Sequence, residues 1–386
     1  MNKSKSKWIL GIVTVLHWFS LYTYVPYFTP YMQTLGAIAT VTGMAAGAYG
    51  FSQMVFRIPI GIGADKLGRQ KIFITLGVAM SAVASLGMRL FPNPVALLFF
   101  RGLSGLSAAS WVCFPILFSS YFKPEDSTKA IGNINAMNNF GRLAATFLGG
   151  MVAQAFGMVS SFTLSFAAGV LATILSLFVQ DIETEREPLA LKELATVAKN
   201  KPLILGCILA CCLQFIMFAT AFAFTSNVAA DLGATPMQLS MVTTFFTLTN
   251  FIMSLLVGGV FVKNFGEKPV ILTAFLMVIL YCILVPLVPS VWMICVLQLM
   301  GGCSNGLLAT ILMSMSVRTV ELSKKNTAMG AYQAIYGIGM TLGPAIMGGI
   351  VNGSGYRLGF LIMGIIAAAA VVLVLLFYNK AVSLKN

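Results

Sequence analysis

GIGADKLGRQK, at residues 61–71, places three glycines, one acidic residue and three basic residues between two apolar runs. A fainter copy, GVFVKNFGEK, occupies residues 259–268, and its first glycine follows Gly61 by 198 residues. Glycine permits a sharp reversal of the backbone, so each stretch predicts a tight polar turn between two apolar segments. The pair predicts a chain built from two similar halves.

The composition predicts a helical membrane protein. Apolar residues make up 58% of the 386 residues and charged residues only 9%, whereas soluble domains carry roughly 25% charged residues. Apolar runs of about 20 residues recur, which is long enough to cross a ~30 Å hydrocarbon core. Helices satisfy their own backbone hydrogen bonds in lipid, so we expect the spans to be helical.

Twelve spans are predicted from these runs. They are residues 8–27, 38–60, 72–91, 95–121, 130–153, 159–179, 203–227, 239–262, 269–287, 291–317, 328–351 and 358–378. The first run is a full span without a small-residue cleavage site, so no signal peptide is expected.

The net charge of +13 is distributed as a topology signal. Lys3, Lys5 and Lys7 precede the first span, and basic residues follow every even-numbered span, whereas the opposite side holds Arg89 and Arg357. Cytoplasmic loops are enriched in Lys and Arg, so both termini are predicted to be cytoplasmic. This placement requires no nucleic-acid partner.

A second pair of segments shares the same 198-residue offset. Residues 132–150 read GNINAMNNFGRLAATFLGG and residues 330–349 read GAYQAIYGIGMTLGPAIMGG, with Gly132 and Gly141 matching Gly330 and Gly339. We predict an N-terminal six-helix bundle at 1–180, a cytoplasmic linker at 181–201 and a C-terminal six-helix bundle at 202–386. The linker has some helical amphipathicity, which is typical of a segment on the membrane surface.

The chain resembles the major facilitator superfamily. Residues 61–71 match the signature between that family's second and third helices, and Arg101-Gly102-Leu-Ser-Gly105 is similar to its fourth-helix signature. Residues 141–150 and 339–349 are similar to its fifth-helix glycine motif and the eleventh-helix counterpart. The resemblance implies two parallel six-helix bundles that rock about a central cavity, with the substrate between them near the bilayer midplane.

The spans lack acidic residues. All eleven carboxylates are predicted to lie in loops. Many drug/proton antiporters of the resembled family carry a membrane-embedded acid, and this chain departs from that pattern, which argues against a cationic-drug antiporter. The spans instead contain His17, Arg57, Arg101 and Arg142, and an ionisable group in a membrane is a functional hypothesis by default.

Arg142 is the leading substrate-binding candidate. Asn135, Asn139 and Arg142 are spaced to share one helix face, and a guanidinium fork matches carboxylate or phosphate geometry. The alternative interpretation is hydrogen bonding between helices by small polar groups.

His17, the chain's single histidine, is a candidate proton site or substrate donor. The alternative is a neutral side chain bonded to a neighbouring helix. Tyr24, two turns on, is placed to share its face. By resemblance, Arg101 matches a fourth-helix arginine linked to proton coupling or to holding the first helix.

Gating residues follow from the resemblance and from backbone chemistry. The gating candidates are Gly61, Asp65, Gly68, Arg69, Gly343 and Pro344. By resemblance, Asp65 is expected to meet the start of the eleventh helix near 326–328 and close the cytoplasmic side. A carboxylate is stabilised at a helix N-terminus. Lys263 occupies the position of Asp65 in the second copy of the motif. The contact that closes the cytoplasmic side is therefore expected to be asymmetric between the two halves. Gly343-Pro344 is expected to kink the eleventh span.

In the second half, Gln214, Gln333 and Tyr336 are polar candidates for substrate contact, with helix–helix bonding as the alternative for each. Aromatic residues that include Trp18, Tyr22, Trp111 and Phe215 are candidates for lining an apolar cavity, with a lipid-interface belt or bundle core as the alternative.

The sequence thus predicts a secondary active transporter in the cell membrane, monomeric and not an enzyme. It is expected to move a small organic solute, leaning to an anionic or polar one, by proton coupling or exchange. Multidrug or amphipathic-compound efflux is an alternative, and a non-transporting membrane sensor is another. No cofactor or metal is expected, because no phosphate-cradling loop is found and the seven cysteines lie in apolar spans without metal-ligand spacing.

Overall fold

The computed structural model describes residues 3–123, 126–182, 200–320 and 325–382. Within these ranges every regular element is helical. Nine described segments are long and apolar enough to cross a membrane, and one of them, Ala328–Ala381, is long enough for two spans. The helices Ala39–Leu67 and Ser127–Phe156 complete a set of twelve.

The twelve successive spans agree with the sequence prediction. Their bounds are Lys3–Tyr22 with Val25–Thr34, Ala39–Leu67, Gln70–Leu90, Pro94–Ala109 with Cys113–Ser119, Ser127–Phe156, Ser160–Leu177, Lys201–Ala219 with Thr225–Asp231, Pro236–Leu256 with Lys263–Phe265, Glu267–Leu284, Val291–Arg318, and the two parts of Lys325–Val382, which is broken at Gly355.

The internal repeat is visible in the backbone. Gly68 and Gly157 have φ values of 62° and 84°, and their partners 198 residues later, Gly266 and Gly355, have values of 80° and 79°. Only glycine adopts this left-handed region without steric cost. The duplication seen in the sequence therefore extends to the turns that end the second, fifth, eighth and eleventh spans.

The turn at residues 61–71 is shorter than its sequence suggested. The second span continues as helix to Leu67, and the reversal is confined to Gly68 and Arg69. Asp65 therefore lies in the last helical turn, where its Oδ1 accepts a hydrogen bond from Gln70 Nε2 at 3.5 Å. The expectation that every carboxylate lies in a loop is wrong for Asp65, because the helix runs on through the glycines. It is also wrong for Asp231 and Glu267, which are the last and the first residue of their helices.

The chain forms two compact units. Unit 1 comprises Met1–Gly36, Phe51–Pro188 and Thr235–Met241, and unit 2 comprises Ala37–Gly50, Leu189–Ala234 and Val242–Asn386. Residues 183–199 lie outside the described ranges, so the amphipathic helix expected in the linker stays a prediction. The bundle boundaries at 180 and 202 likewise stay predictions.

Serine hydroxyls join three spans of unit 1. Ser165 on the sixth span donates to the carbonyl oxygen of Ser20 at 2.5 Å. Its oxygen also lies 2.5 Å from Ser85 Oγ on the third span, and Ser20 Oγ donates to Ser81 Oγ at 3.2 Å. All four side chains are buried. Small hydroxyl residues let helices approach closely and hydrogen-bond in an apolar medium.

Glycines set the closest helix contacts in unit 2. A Cβ added to Gly339 would lie 2.3 Å from the carbonyl oxygen of Cys211, and one added to Gly343 would lie 2.1 Å from that of Phe215. The eleventh span therefore packs backbone to backbone against the seventh. Pro344 follows directly and lies inside a continuous helix.

We predict that Gly141→Ala destabilises unit 1 while Gly132→Ala does not. A Cβ on Gly141 would lie 2.4 Å from the carbonyl oxygen of Val15, whereas a Cβ on Gly132, on the same helix, would meet nothing within 4 Å. Forcing the fifth span away from the first should cost about 1–3 kcal/mol of unfolding free energy. Thermal unfolding of the detergent-purified variants measures this difference, and equal midpoints for both would contradict the close packing.

Candidate functional site

Two spans of unit 1 are broken, each next to an aromatic side chain. The first span is interrupted between Tyr22 and Val25, and the fourth passes through a 3₁₀ turn at Ser110–Val112. Proline has no backbone N–H, so it cannot bond the carbonyl four residues before it. Pro26 therefore leaves the carbonyl of Tyr22 without its helical partner, and Pro115 does the same for Trp111.

Aromatic rings run continuously between these two breaks. Trp111 stacks on Phe114 with centroids 5.5 Å apart and meets Trp18 edge-on at 5.4 Å. Trp18 in turn lies 5.8 Å from the ring of Tyr22. We call Phe114, Trp111, Trp18 and Tyr22 the ring chain. Trp111 is partly exposed, whereas the other three are buried.

Arg142 lies at the Tyr22 end of the ring chain. Its guanidinium carbon lies 4.3 Å from the ring centroid of Tyr22, which is cation–π distance. It sits midway along Ser127–Phe156, and its Nε is buried without a hydrogen-bond partner in the described part of the chain. An unpaired buried donor is costly, so this nitrogen marks a place for an acceptor.

The two asparagines predicted beside Arg142 take different places. Asn139 Nδ2 donates to the carbonyl oxygen of Asn135 at 3.0 Å, within their own helix, and Asn139 is partly exposed. Asn135 is exposed. Both stay predictions as substrate contacts.

His17 lies beside the ring chain. It is fully buried and stacks on Phe114 at 5.3 Å with an interplanar angle of 18°. Neither ring nitrogen has a hydrogen-bond partner among the residues that the structure describes. The predicted neighbour Tyr24 bonds elsewhere, to Arg101.

Arg101 and Tyr24 bind each other. Arg101 Nη1 donates to Tyr24 Oη at 3.2 Å, and the guanidinium carbon lies 5.5 Å from the Tyr24 ring and 5.3 Å from the Phe28 ring. Both side chains are buried. Arg101 thereby ties the fourth span to the first just beyond the break at Tyr22.

The described interior of the spans is free of carboxylates. Asp65 lies in the last turn of its helix, Asp231 ends the seventh span and Glu267 begins the ninth. Glu267 is also paired, with Arg318 Nη2 donating to its Oε1 at 3.1 Å. The described interior of the spans therefore offers no carboxylate as a partner to Arg142 or His17.

The remaining predicted residues lie mostly in unit 2. Gln214 is partly exposed on the seventh span, and Gln333 and Tyr336 are partly exposed on the eleventh. Tyr336 meets Tyr332 edge-on at 5.4 Å. The expected contact of Asp65 with 326–328 stays a prediction, since the side chains of residues 326 and 327 are outside the described set.

The proline spacing was the sequence signal for the ring chain. From the sequence, Trp18, Tyr22 and Trp111 are candidates for lining an apolar cavity. Yet Tyr22 and Trp111 each stand four residues before a proline inside an apolar run. That pattern identifies aromatic residues at helix breaks, where membrane transporters place binding groups.

Comparison with known proteins identifies the family. The model of the Major Facilitator Superfamily matches residues 10–228 and again residues 206–385. The chain therefore belongs to the Major Facilitator Superfamily, whose members are multi-pass membrane transporters of small molecules rather than enzymes. Its fold is the family's twelve helices in two six-helix bundles related by a parallel repeat, as the sequence predicted.

Relatives and solved structures agree with this assignment. The chain is 24% identical to the inner membrane transport protein YajR of Escherichia coli K12 over 377 residues, which is 95% of this chain and 82% of YajR. It is 31% identical to the multi-drug resistance efflux pump PmrA of Streptococcus pneumoniae serotype 4 over 192 residues, 47% of each chain.

Among solved structures, the nucleoside transporter NupG aligns with a TM-score of 0.78 over 100% of both chains at 16% identity. A bacterial homologue of the human lysosomal transporter Spinster aligns with a TM-score of 0.79 over 98% of this chain and 97% of its own, also at 16% identity. At this identity the likeness establishes the fold.

We predict that Tyr24→Phe weakens the fold without changing transport. The substitution removes the acceptor for Arg101 and should cost about 1–2 kcal/mol of unfolding free energy. Tyr31→Phe, on the same span, is the matched control because its ring packs on Phe162 rather than on an arginine. Unchanged unfolding together with lost flux would instead make Tyr24 a substrate contact.

Proposed function

We propose that the protein is a secondary active transporter of a small organic solute that carries an anionic group. The observation that supports this most directly is Arg142, a partly exposed cation midway along a span, whose buried Nε has no hydrogen-bond partner in the described chain and whose guanidinium lies over a tyrosine ring. A guanidinium binds carboxylates and phosphates through paired hydrogen bonds. The anion of the solute supplies the acceptor that Arg142 lacks among the described residues.

The cost of burial favours this role over a structural one. A charged side chain in a membrane costs several kcal/mol unless a partner compensates it. Arg101 shows the structural solution in the same unit, since it donates to Tyr24 and packs on two rings. Arg101 also has a buried Nε that makes no hydrogen bond in the described chain, so the difference is that Arg142 has only the ring contact and no hydrogen bond to a described protein acceptor, which is the state expected of a site that awaits a ligand.

Transport by alternating access and coupling to protons or to a counter-substrate belong to this proposal. So do a cytoplasmic location for both termini, a monomeric state, and gating by the glycine turns with Asp65, Arg69 and Gly343-Pro344. His17 is the proposed proton site, because it is the one side chain in the spans whose unperturbed pKa is near neutrality.

Efflux of amphipathic compounds is the second candidate. It is supported by the similarity to the PmrA pump over 192 residues and by the ring chain, whose Trp111 is a partly exposed aromatic side chain. The two candidates differ in the charge of the solute that they select.

Replacing Arg142 tests the proposal. In proteoliposomes with an imposed pH gradient, we predict that Arg142→Ala abolishes the flux of organic anions and that Arg142→Lys retains a small part. Losing the partner of a desolvated anion should reduce affinity by about tenfold or more. Flux of radiolabelled carboxylates and of lipophilic cations is measured side by side.

Arg89→Ala is the matched control, because Arg89 belongs to the same unit but is exposed and donates to Thr163 Oγ1 at 3.2 Å. Its anion flux should be unchanged. Cation flux that survives in Arg142→Ala, with no anion flux in the parent protein, would replace anion transport with multidrug efflux.

Replacing His17 tests the coupling. We predict that His17→Gln keeps exchange of substrate across the membrane and loses the response to a pH gradient, because glutamine preserves a polar side chain and cannot titrate. Counterflow and gradient-driven uptake are measured on the same vesicles. Full gradient-driven uptake by the variant would exclude His17 as the proton site.

A further inference from the structure

We infer that the solute is an aromatic carboxylate, whose carboxylate binds Arg142 and whose ring lies on the exposed surface of Trp111. This inference rests on the proposed function and narrows its substrate class. It depends on three features of unit 1: the geometry of the ring chain, the state of its exposed member, and two unpaired nitrogen donors at the Tyr22 end.

The ring chain has one accessible member, which lies between buried ones. Phe114 and Trp18 are buried and hold Trp111 from two directions, by stacking at 5.5 Å and by an edge contact at 5.4 Å. Trp111 itself is partly exposed. A ring fixed in this way offers a rigid flat surface, and aromatic surfaces favour other aromatic rings in offset or edge geometry.

Trp111 is also fixed by its backbone. It lies in the 3₁₀ turn at Ser110–Val112, and the Ser107 hydroxyl, less than two turns earlier on the span, donates to the carbonyl oxygen of Gly77 at 2.6 Å. A Cβ on Gly77 would lie 2.1 Å from Ser110 Oγ, so the third span packs directly against the turn. A preorganised surface loses little conformational entropy when a ligand binds to it.

The unpaired donors lie at the other end of the ring chain. Trp18 and Arg142 both contact the ring of Tyr22, at 5.8 Å and 4.3 Å. Trp18 Nε1 and Arg142 Nε are each buried and without an acceptor in the described part of the chain. A ligand that fits this end brings acceptors: one anionic group for the guanidinium, and a further oxygen for the indole N–H.

These features together describe one kind of molecule. It is flat and aromatic at one end, carries a carboxylate, and gains from an oxygen substituent on or near the ring. A purely apolar ring leaves both donors unpaired, and an aliphatic carboxylate leaves the surface of Trp111 without a matching face.

Equilibrium binding of four small probes to the detergent-purified protein tests the inference. The probes are radiolabelled benzoate, with cyclohexanecarboxylate, 4-hydroxybenzoate and benzylamine as competitors. Cyclohexanecarboxylate matches benzoate in charge and approximate size and differs in aromaticity. We expect benzoate to bind about fivefold more tightly than cyclohexanecarboxylate, 4-hydroxybenzoate to bind more tightly still, and benzylamine not to compete.

Variants of Trp111 test whether the preference for an aromatic carboxylate depends on this side chain. Trp111→Leu should bring benzoate and cyclohexanecarboxylate to equal affinity, and Trp111→Phe should keep most of the preference, which separates a lost surface from a misfolded protein. Trp292→Leu is the matched control, since Trp292 is exposed at the start of the tenth span, and it should change neither affinity.

A variant of Trp18 tests whether its indole N–H is the second hydrogen-bond donor to the ligand. Trp18→Phe keeps an aromatic ring in the chain and removes the N–H, so it should erase the advantage of 4-hydroxybenzoate over benzoate, a change of about threefold to tenfold.

Three results would overturn the inference. Equal binding of benzoate and cyclohexanecarboxylate that is lost in Arg142→Ala would leave anion transport standing and remove the aromatic class. An aromatic preference that persists in Trp111→Leu would place the ring elsewhere. Binding of benzylamine in preference to both carboxylates would remove the inference and the proposed function together.

Discussion

Two missing backbone hydrogen bonds organise the site in unit 1. In lipid a helix must satisfy its own backbone, so the carbonyl that a proline leaves without its donor has to be compensated by a local break or by neighbouring groups. Pro26 and Pro115 each place such a break four residues after an aromatic side chain, Tyr22 and Trp111. Around the first break, Ser165 donates to the carbonyl of Ser20, and Arg101 holds Tyr24. The helix breaks therefore hold aromatic rings in fixed positions.

Arg101 and Arg142, two arginines of unit 1, differ in their electrostatic surroundings. Arg101 is enclosed by Tyr24 and Phe28 and donates to a hydroxyl, which makes it part of the packing between the first and fourth spans. Each arginine has a buried Nε that makes no hydrogen bond in the described chain, but Arg142 lies over Tyr22 without a hydrogen bond from any of its nitrogens to a described protein acceptor, and the described interior of the spans offers it no carboxylate. A cation left in this state in a low dielectric attracts an anion more strongly than one that is already paired. The difference between the two side chains is the physical basis for proposing a site.

The sequence predicted the fold well because its signals are local or periodic. Span length, the distribution of lysine and arginine, and the 198-residue offset each act along the chain, and the matching glycines Gly68 and Gly266 confirm the offset in their backbone angles. It missed the extent of the second helix, since glycine-rich segments such as 61–67 remain helical when lipid leaves the backbone no other partner. The proline spacing marks Tyr22 and Trp111 in the sequence. The contacts within the ring chain could not be predicted, because Trp18 and Trp111 meet only through the packing of the first span on the fourth. Arg142 could be singled out from the sequence because a cation in an apolar run is conspicuous by itself, and its role in binding stays a prediction.

A structure of the protein with 4-iodobenzoate tests the central claim most directly, because the iodine marks the ring and the carboxylate marks the charge. The account predicts the carboxylate within hydrogen-bond distance of the Arg142 guanidinium and the iodinated ring against Trp111. It would be contradicted by a ligand bound away from both side chains, or by an Arg142 whose Nε donates to a protein acceptor while the ligand is bound elsewhere.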